Sequence, residues 1–221
     1  MFDESINRIT LDRRIELLSL KNGPVIVMPF NGLAVNGNPT KDFSGFGRAP
    51  DGKKLEECAG KQFEKIRYLH SLVAGVEYQR LVDSYSLLAE RIVLNQGFAE
   101  GLEALNARFN VVFVTSGLRD VCFARMGLDV KPDNIIGAEY EVDSDGLVAG
   151  SKLIITDELK GYVVDRLKES HFVVGIGESY GDRFLTGNAH LGIAVRPTCN
   201  LPAKYVVDSM KQAGLKVLEL V

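Results

Sequence analysis

The fold is decided by the stretch HFVVGIGESYGD, residues 171–182. An apolar run reaches a glycine-rich turn, and this turn carries two acids, Glu178 and Asp182, four residues apart. In a parallel α/β sheet, a buried strand that ends in this way presents polar groups at the carboxyl edge. The two carboxylates fit a divalent cation with oxygen ligands, or an ordinary strand-to-helix turn with an acid in the first helical turn. This stretch alone leaves both interpretations open.

The composition suits one globular domain, or a core with a modest insertion. The chain has 221 residues, of which 46% are hydrophobic and 25% charged. A net charge of −3 argues against a nucleic-acid partner, and no apolar segment is long enough to span a membrane. The odd set of Cys58, Cys122 and Cys199 matches neither a disulfide framework nor a zinc site, and the first residues lack the pattern of a signal peptide. We therefore expect a cytoplasmic protein, and its oligomeric state stays open.

Strand and helix patterns alternate along the chain. Short apolar runs predict buried strands at residues 25–28, 111–114, 134–140, 173–177 and 191–195. Helical spacing predicts helices at residues 10–20, 98–109, 120–127, 157–170 and 203–213. Residues 143–146 have the composition of a hairpin turn, and residues 215–220 are expected to close the sheet as a strand. This alternation predicts an α/β fold with a parallel sheet.

A helical segment is predicted between the first two strands. Residues 31–52 are rich in Gly, Pro and Asn, which predicts a loop with room for a small hairpin. Residues 53–95 then carry apolar side chains at three- and four-residue steps, which predicts two or three packed helices. We therefore predict an α/β core of residues 1–45 and 97–221, and a small helical cap of residues 46–96.

Four short blocks, in this order along the chain, resemble the haloacid-dehalogenase-like (HAD) hydrolase superfamily, and most of all its phosphoserine-phosphatase-like branch. The first, VIVMPFNGLAV at residues 25–35, matches an apolar strand followed by Asp-x-Asp-Gly-Thr and an aliphatic pair. The other three are VFVTSG at 112–117, DELKG at 157–161 and GESYGD at 177–182, which matches Gly-Asp-x-x-x-Asp. The resemblance covers about residues 24–210. It implies a three-layer Rossmann-like sheet with the cap inserted after the first strand.

The first block has lost the groups that the resemblance makes catalytic. In the family, the first Asp attacks phosphorus and the second donates and then collects a proton. In this chain Pro29 and Asn31 occupy these positions, and Leu33 replaces the Thr. The proline ring has no nucleophilic atom, and an amide cannot exchange a proton at neutral pH. The resemblance therefore implies that no catalytic residue of this block is intact.

The later blocks keep groups suited to a phosphate and, weakly, to a metal. The resemblance assigns phosphate binding to Thr115, Ser116, Gly117 and Lys160. It assigns a metal to Glu178 and Asp182, where Mg²⁺ would be held weakly because Pro29 cannot contribute a ligand. In an alternative arrangement, Lys160 neutralises Glu178 directly and no metal is needed.

Three functions are compatible with these residues. The first is a HAD-type pseudophosphatase that binds a phosphorylated small molecule or protein. The second is an active Mg²⁺-dependent phosphomonoester hydrolase whose acid comes from outside the first block, such as Asp42 or a cap residue. The third is a structural or interaction protein with a vestigial pocket. His70, His171 and His190 are scattered and are predicted to be structural or surface residues.

Overall fold

The computed structural model describes residues 3–35, 50–91, 93–126 and 129–221, leaving aside the side chains of residues 85, 86 and 88–91. Within these residues the strands are β1 (Val25–Met28), β2 (Asn110–Leu118), β3 (Ile135–Val142), β4 (Val148–Leu153), β5 (Val173–Gly177), β6 (Leu191–Val195) and β7 (Tyr205–Val207). The helices are α1 (Glu4–Glu16), α2 (Gly52–Glu57), α3 (Gln62–Ser71), α4 (Tyr78–Arg91), α5 (Phe98–Asn106), α6 (Arg119–Met126), α7 (Asp157–Lys168), α8 (Arg183–Asn188) and α9 (Met210–Leu220). Short 3-10 turns, Pro132–Asn134 and Tyr180–Asp182, precede β3 and α8.

One twisted sheet organises the described part of the chain, with the strand order β4-β3-β2-β1-β5-β6-β7. Neighbouring strands pair in parallel from β3 through to β7. The exception is the antiparallel hairpin of β3 and β4, which turns at the predicted residues 143–146. The predicted α/β class with a Rossmann-like, mostly parallel sheet is confirmed, and β4 is its antiparallel edge strand.

The side chains of β1 show why the fold has three layers. Successive residues of a strand point to opposite faces, so a strand covered on both faces is apolar throughout. Ile26 and Met28 are buried in a core shared with α5, α6 and α9. Val25 and Val27 are buried in a second core shared with α1 and α7. Helices therefore cover both faces of the sheet, as the Rossmann-like prediction required.

Among the described residues, three helices lie between β1 and α5, and two of them, α3 and α4, contact the β3–β4 hairpin. The backbone N–H of Tyr78 donates to the carbonyl of Gly146 at 2.8 Å, and the ring of His70 lies 3.0 Å from the hydroxyl of Ser151. Helices α2, α3 and α4 lie where the helical spacing predicted helices, with α3 against β4 and α4 against α6; that they pack on each other as a cap stays a prediction. The cap limits 46–96 stay a prediction, since residues 36–49 lie outside the description. No helix among the described residues is both long and apolar enough to cross a membrane.

The C-terminal prediction was wrong. Residues 203–213 do not form one helix and residues 215–220 do not form a strand; instead β7 extends the sheet beside β6, and α9 follows it. Ser209 caps α9, because its side chain accepts a hydrogen bond from the N–H of Gln212. Met210, Ala213 and Val217 are buried at helical spacing. These contacts make residues 215–220 the second half of a helix, although their alternating pattern is equally typical of a strand.

The first helix begins earlier than predicted. It runs from Glu4 to Glu16 and not over residues 10–20. The carboxylate of Asp3 accepts hydrogen bonds from the N–H groups of Ser5 and Ile6, so Asp3 is the N-cap. The helix therefore starts one turn or more before its first buried apolar residue, Leu11.

Gly161 sets the distance between α7 and α8. A β-carbon built on Gly161 would lie 2.7 Å from Cβ of Phe184 and 3.0 Å from Nδ2 of Asn188. Alanine gains at most about 1 kcal/mol of helix propensity over glycine. Overpacking a tight contact costs about 1–3 kcal/mol, so the clash outweighs that gain. We expect Gly161→Ala to lower the free energy of unfolding in urea by about 1–2 kcal/mol.

Gly150 provides the matched control for this substitution. No atom lies within 4 Å of a β-carbon built there, so Gly150→Ala should change the unfolding free energy by less than about 0.5 kcal/mol. Equal stability of the two variants would contradict the close approach of the helices.

Candidate active site

The four sequence blocks meet at the carboxyl edge of the sheet. The strands β2, β1 and β5 are parallel neighbours, so their carboxyl ends lie side by side. Thr115 is near the end of β2, Asn31 follows β1 and Glu178 follows β5. Lys160 is in the first turn of α7, which packs against the same strands. The sequence-predicted site residues therefore belong to one region of the molecule.

The turn after β1 is held in a defined conformation. The N–H of Gly32 donates to the carbonyl of Val35 at 2.9 Å. The side-chain amide of Asn95 donates to the carbonyls of Gly32 and Leu33, at 2.6 and 2.9 Å. The segment that carries Asn31 is therefore fixed from two sides, by its own backbone and by the loop before α5.

Pro29 and Asn31 occupy the positions that the resemblance gives to the nucleophile and the acid/base. Pro29 is buried directly after β1, and Asn31 is half-buried. A β-carbon built on Gly117 would lie 2.9 Å from Nδ2 of Asn31 and 3.4 Å from Oγ1 of Thr115. The missing side chain at Gly117 therefore leaves room for the Asn31 amide beside Thr115.

Thr115 is almost fully buried, with 1% of its surface exposed. Its hydroxyl oxygen accepts a hydrogen bond from the N–H of Gly117 at 3.1 Å. The N–H of Gly117 is therefore already used, and Thr115 can still donate through its own hydroxyl proton. Ser116 is half-buried between them, so the predicted phosphate donors are close together but not equally available.

Lys160 and Asp182 form a buried ion pair. The Nζ atom of Lys160 lies 2.9 Å from Oδ1 of Asp182 and donates to the carbonyl of Gly181 at 3.2 Å. Only 5% of Lys160 and 1% of Asp182 are exposed. The alternative in which Lys160 neutralises Glu178 is therefore wrong, because the lysine is paired with the other acid of the turn.

The second oxygen of Asp182 holds the turn after β5. It accepts three hydrogen bonds, from the N–H of Glu178 at 3.2 Å, the N–H of Ser179 at 3.1 Å and the hydroxyl of Ser179 at 3.0 Å. The bond from the N–H of Ser179 is one half of a capping box at the start of the 3-10 turn, whose other half runs from the N–H of Asp182 to the side chain of Ser179. Both oxygens of Asp182 are thus engaged by donors from the protein.

Glu178 is the acid of this turn that keeps a carboxylate oxygen uncommitted. Within the described residues its Oε2 atom is buried and has no hydrogen-bond partner. The same atom lies 3.1 Å from a β-carbon built on Gly32, so it faces the turn after β1. Burial raises the pKa of Glu178; the charge of Arg196 opposes this shift and that of Asp182 adds to it.

A magnesium ion would find few ligands here. Mg²⁺ requires near-octahedral oxygen coordination, usually with one or two carboxylates. Pro29 offers no side-chain oxygen and Asp182 is neutralised by Lys160, which leaves Glu178. No group of three or more His, Cys, Asp or Glu side chains in the described part of the chain could hold a metal. The described residues of the wild-type chain therefore fit magnesium poorly.

Sequence reasoning missed a polar contact beside the ion pair. The side-chain amide of Gln62 donates to Oδ1 of Asp157 at 3.0 Å and accepts from the N–H of Asp157 at 2.9 Å. Arg183 reaches the other oxygen of Asp157 at 3.2 Å. This contact fastens α3 to the first turn of α7, just before Lys160. The partners are 95 residues apart, and no local pattern signals the pairing.

Two open cavities border α1. One, of about 1060 Å³, lies between α1, the α2–α3 connection and the start of α7. The other, of about 620 Å³, lies between α1, α6 and the β3–β4 hairpin. Neither is lined by Thr115, Lys160 or Glu178, which belong to the cleft at the carboxyl edge of the sheet.

No family model matches the sequence, and no curated protein matches it by sequence. Solved structures do match its fold. The phosphoserine phosphatase from T. onnurineus, in complex with NDSB-201, aligns with a TM-score of 0.64 and 17% identity over 90% of this chain and 98% of its own. A substrate-bound phosphoserine phosphatase complex aligns with a TM-score of 0.64 and 19% identity over 91% and 99%. A probable phosphoserine phosphatase from Vibrio cholerae, in an unliganded form, aligns with a TM-score of 0.61 and 16% identity over 93% and 69%.

Identities this low establish the fold and not the activity. A HAD-family hydrolase from Salmonella enterica also aligns, with a TM-score of 0.60 and 16% identity over 81% of this chain and 64% of its own. The resemblance inferred from the four sequence blocks is therefore confirmed at the level of the fold. The chain has the α/β fold of the haloacid-dehalogenase-like hydrolases, in the form found in phosphoserine phosphatases.

Proposed function

We propose that this chain binds a phosphorylated small molecule or protein at the carboxyl edge of its sheet, and does not turn it over through an aspartyl phosphate. One observation carries this proposal. The side chain that lies against Gly117, on the side of Thr115, is the amide of Asn31 and not a carboxylate. An amide and a hydroxyl can donate hydrogen bonds to phosphate oxygens, but neither can replace the carboxylate of the lost first block.

The charges of the cleft limit how a phosphate can bind. The charge of Lys160 is offset by Asp182, so this lysine adds little net positive potential. Glu178 is the acid that remains beside the turn after β1, and an ionised carboxylate repels a phosphate dianion. Binding therefore requires neutral donors such as Asn31 and Thr115, together with a further cation.

Two alternatives remain to be tested. An active hydrolase would need an acid from outside the first block, and Asp42, the candidate named from the sequence, lies outside the described residues. A vestigial pocket is favoured by the burial of Lys160 against Asp182, since a paired lysine can be purely structural. A direct assay of binding and turnover separates the three.

The wild-type protein is expected to bind O-phosphoserine or inorganic phosphate in calorimetry, and to hydrolyse no phosphomonoester in the presence of Mg²⁺. Pro29→Asp combined with Asn31→Asp restores both carboxylates of the first block. We expect this double variant to gain Mg²⁺-dependent phosphate release from a phosphomonoester panel, about tenfold or more above wild type, because it regains a nucleophile and a proton donor.

Pro29→Asn, with Asn31 left in place, is the matched control. Asparagine has the size of aspartate at both positions, so this variant matches the backbone and shape of the double variant without a carboxylate, and no hydrolysis should appear. Wild-type turnover that requires Mg²⁺ and is lost in Glu178→Ala would refute the proposal. A wild-type protein that neither binds phosphate nor gains activity on restoration would favour the vestigial pocket.

A further inference from the structure

The backbone of Arg196 is strained. Arg196 directly follows β6 and has a φ of +41°, and no other non-glycine residue among those described has a positive φ. Left-handed backbone is unfavourable for a residue with a β-carbon. Such strain persists where the surroundings impose it, and it is concentrated at ligand-binding and catalytic positions. Here the N–H of Arg196 donates to the carbonyl of Val207 at 2.9 Å, which holds the residue at the edge of the sheet.

The strand register places Arg196 next to the candidate site. β5 and β6 pair in parallel with Gly177 opposite Ala194, so Glu178 and Arg196 leave the sheet at the same edge. The N–H of Thr198 donates to the carbonyl of Glu178 at 3.0 Å, which ties the two segments together. Neighbouring strands are about 4.8 Å apart, so the Arg196 backbone lies about two strand spacings from the turn that follows β1.

The guanidinium of Arg196 is available to a ligand. The residue is exposed, and within the described structure its side chain makes no hydrogen bond or salt bridge. Its charge nevertheless acts on the cleft, because it lowers the pKa of Glu178 against the effect of burial. Lys160, by contrast, is buried and paired with Asp182.

We propose that Arg196 binds the phosphoryl group of the ligand and supplies the positive charge that the cleft otherwise lacks. This inference rests on the proposed function and adds to it the group that recognises phosphate. A guanidinium presents a planar set of donors that matches phosphate oxygens in a bidentate arrangement. Phosphate binding would then need no divalent cation, because Arg196 offsets the repulsion from Glu178.

Calorimetric titration with inorganic phosphate in buffer containing EDTA tests this inference. We expect Arg196→Asn to weaken phosphate binding by about tenfold or more, since it removes a charge-assisted bidentate contact. Asparagine tolerates the left-handed region, so the melting temperature should stay the same or rise. Arg196→Lys keeps the charge without the planar donors and should bind with intermediate affinity.

Arg108→Asn is the matched control. Arg108 is an exposed arginine just before β2, at the opposite edge of the sheet, so its loss changes the net charge equally without touching the cleft. If Arg196→Asn bound phosphate with an affinity within about twofold of that of Arg108→Asn, the role of Arg196 would be overturned, while the proposed function would stand. A lower melting temperature with unchanged affinity would identify a structural role and also overturn it. Absence of phosphate binding by the wild-type protein would overturn the proposed function and, with it, this inference.

Discussion

Lys160→Met is expected to destabilise the protein by about 3–5 kcal/mol, because it removes the cation that neutralises a buried carboxylate. Asp182 has 1% of its surface exposed and keeps its hydrogen bonds to the turn, but loses the ammonium group 2.9 Å from Oδ1. An unpaired charge in such a place costs far more than the loss of an ordinary hydrogen bond. The loss would be a large fraction of the whole stability, which is about 5–15 kcal/mol for a typical domain. Urea denaturation at neutral pH measures it.

A double-mutant cycle separates the ion pair from the packing of the two side chains. Asp182→Asn leaves Lys160 buried without its partner and should cost a similar amount. Lys160→Met combined with Asp182→Asn removes both charges, so it should be less destabilising than the sum of the single variants by about 2–3 kcal/mol.

Lys152→Met serves as the comparison on the surface. Lys152 is half-exposed, with Nζ 3.6 Å from Oε2 of Glu139, and such exposed pairs contribute less than about 1 kcal/mol. If Lys160→Met cost no more than Lys152→Met, the pair at the start of α7 would not be the buried ion pair described above.

The candidate site was partly predictable because its residues follow local rules. A short apolar run before a glycine marks β5, and this alone places Glu178 at the carboxyl edge of the sheet. The order of the strands then brings Asn31 and Thr115 beside it, as the four blocks implied. The choice of partner for Lys160 was not predictable. Two acids four residues apart compete for it, and the turn geometry that turns Asp182 inward is not encoded in their spacing.

The errors in the fold have the same origin. The last residues of the chain have apolar spacing that fits a strand or a helix, and the cap at Ser209 together with burial against α5 decides for the helix. The antiparallel edge strand β4 is not one of these errors, because the hairpin turn predicted at residues 143–146 is too short for a crossover helix. The contact of Gln62 with Asp157 joins segments 95 residues apart, which no local propensity reports.

His70 is expected to make the protein progressively less stable as the pH falls from neutral to about 4. Its ring is buried, packs at 4.8 Å on Tyr140 and lies 3.0 Å from the hydroxyl of Ser151. Burial lowers the pKa of His70 from 6.5 to about 4. Between these values the unfolded chain binds a proton that the native state does not, so stability rises with pH across this window. The contribution of His70 to the free energy of unfolding is complete above pH 6.5 and is lost as the pH falls toward 4. The total loss is about 3 kcal/mol.

His70→Gln tests this directly, because an amide can still hydrogen-bond to Ser151 but does not titrate. Urea denaturation of both proteins between pH 4 and pH 7.5 should give curves that converge as the pH falls, since the wild type alone loses the His70 contribution. The readout is how the stability difference between the two proteins changes with pH, and not the absolute stability of either, which controls for the substitution itself. Parallel curves for His70→Gln and wild type across the window would show that His70 binds protons equally in the native and unfolded states, and that the helices between β1 and α5 do not pack on the hairpin tightly enough to exclude its charge.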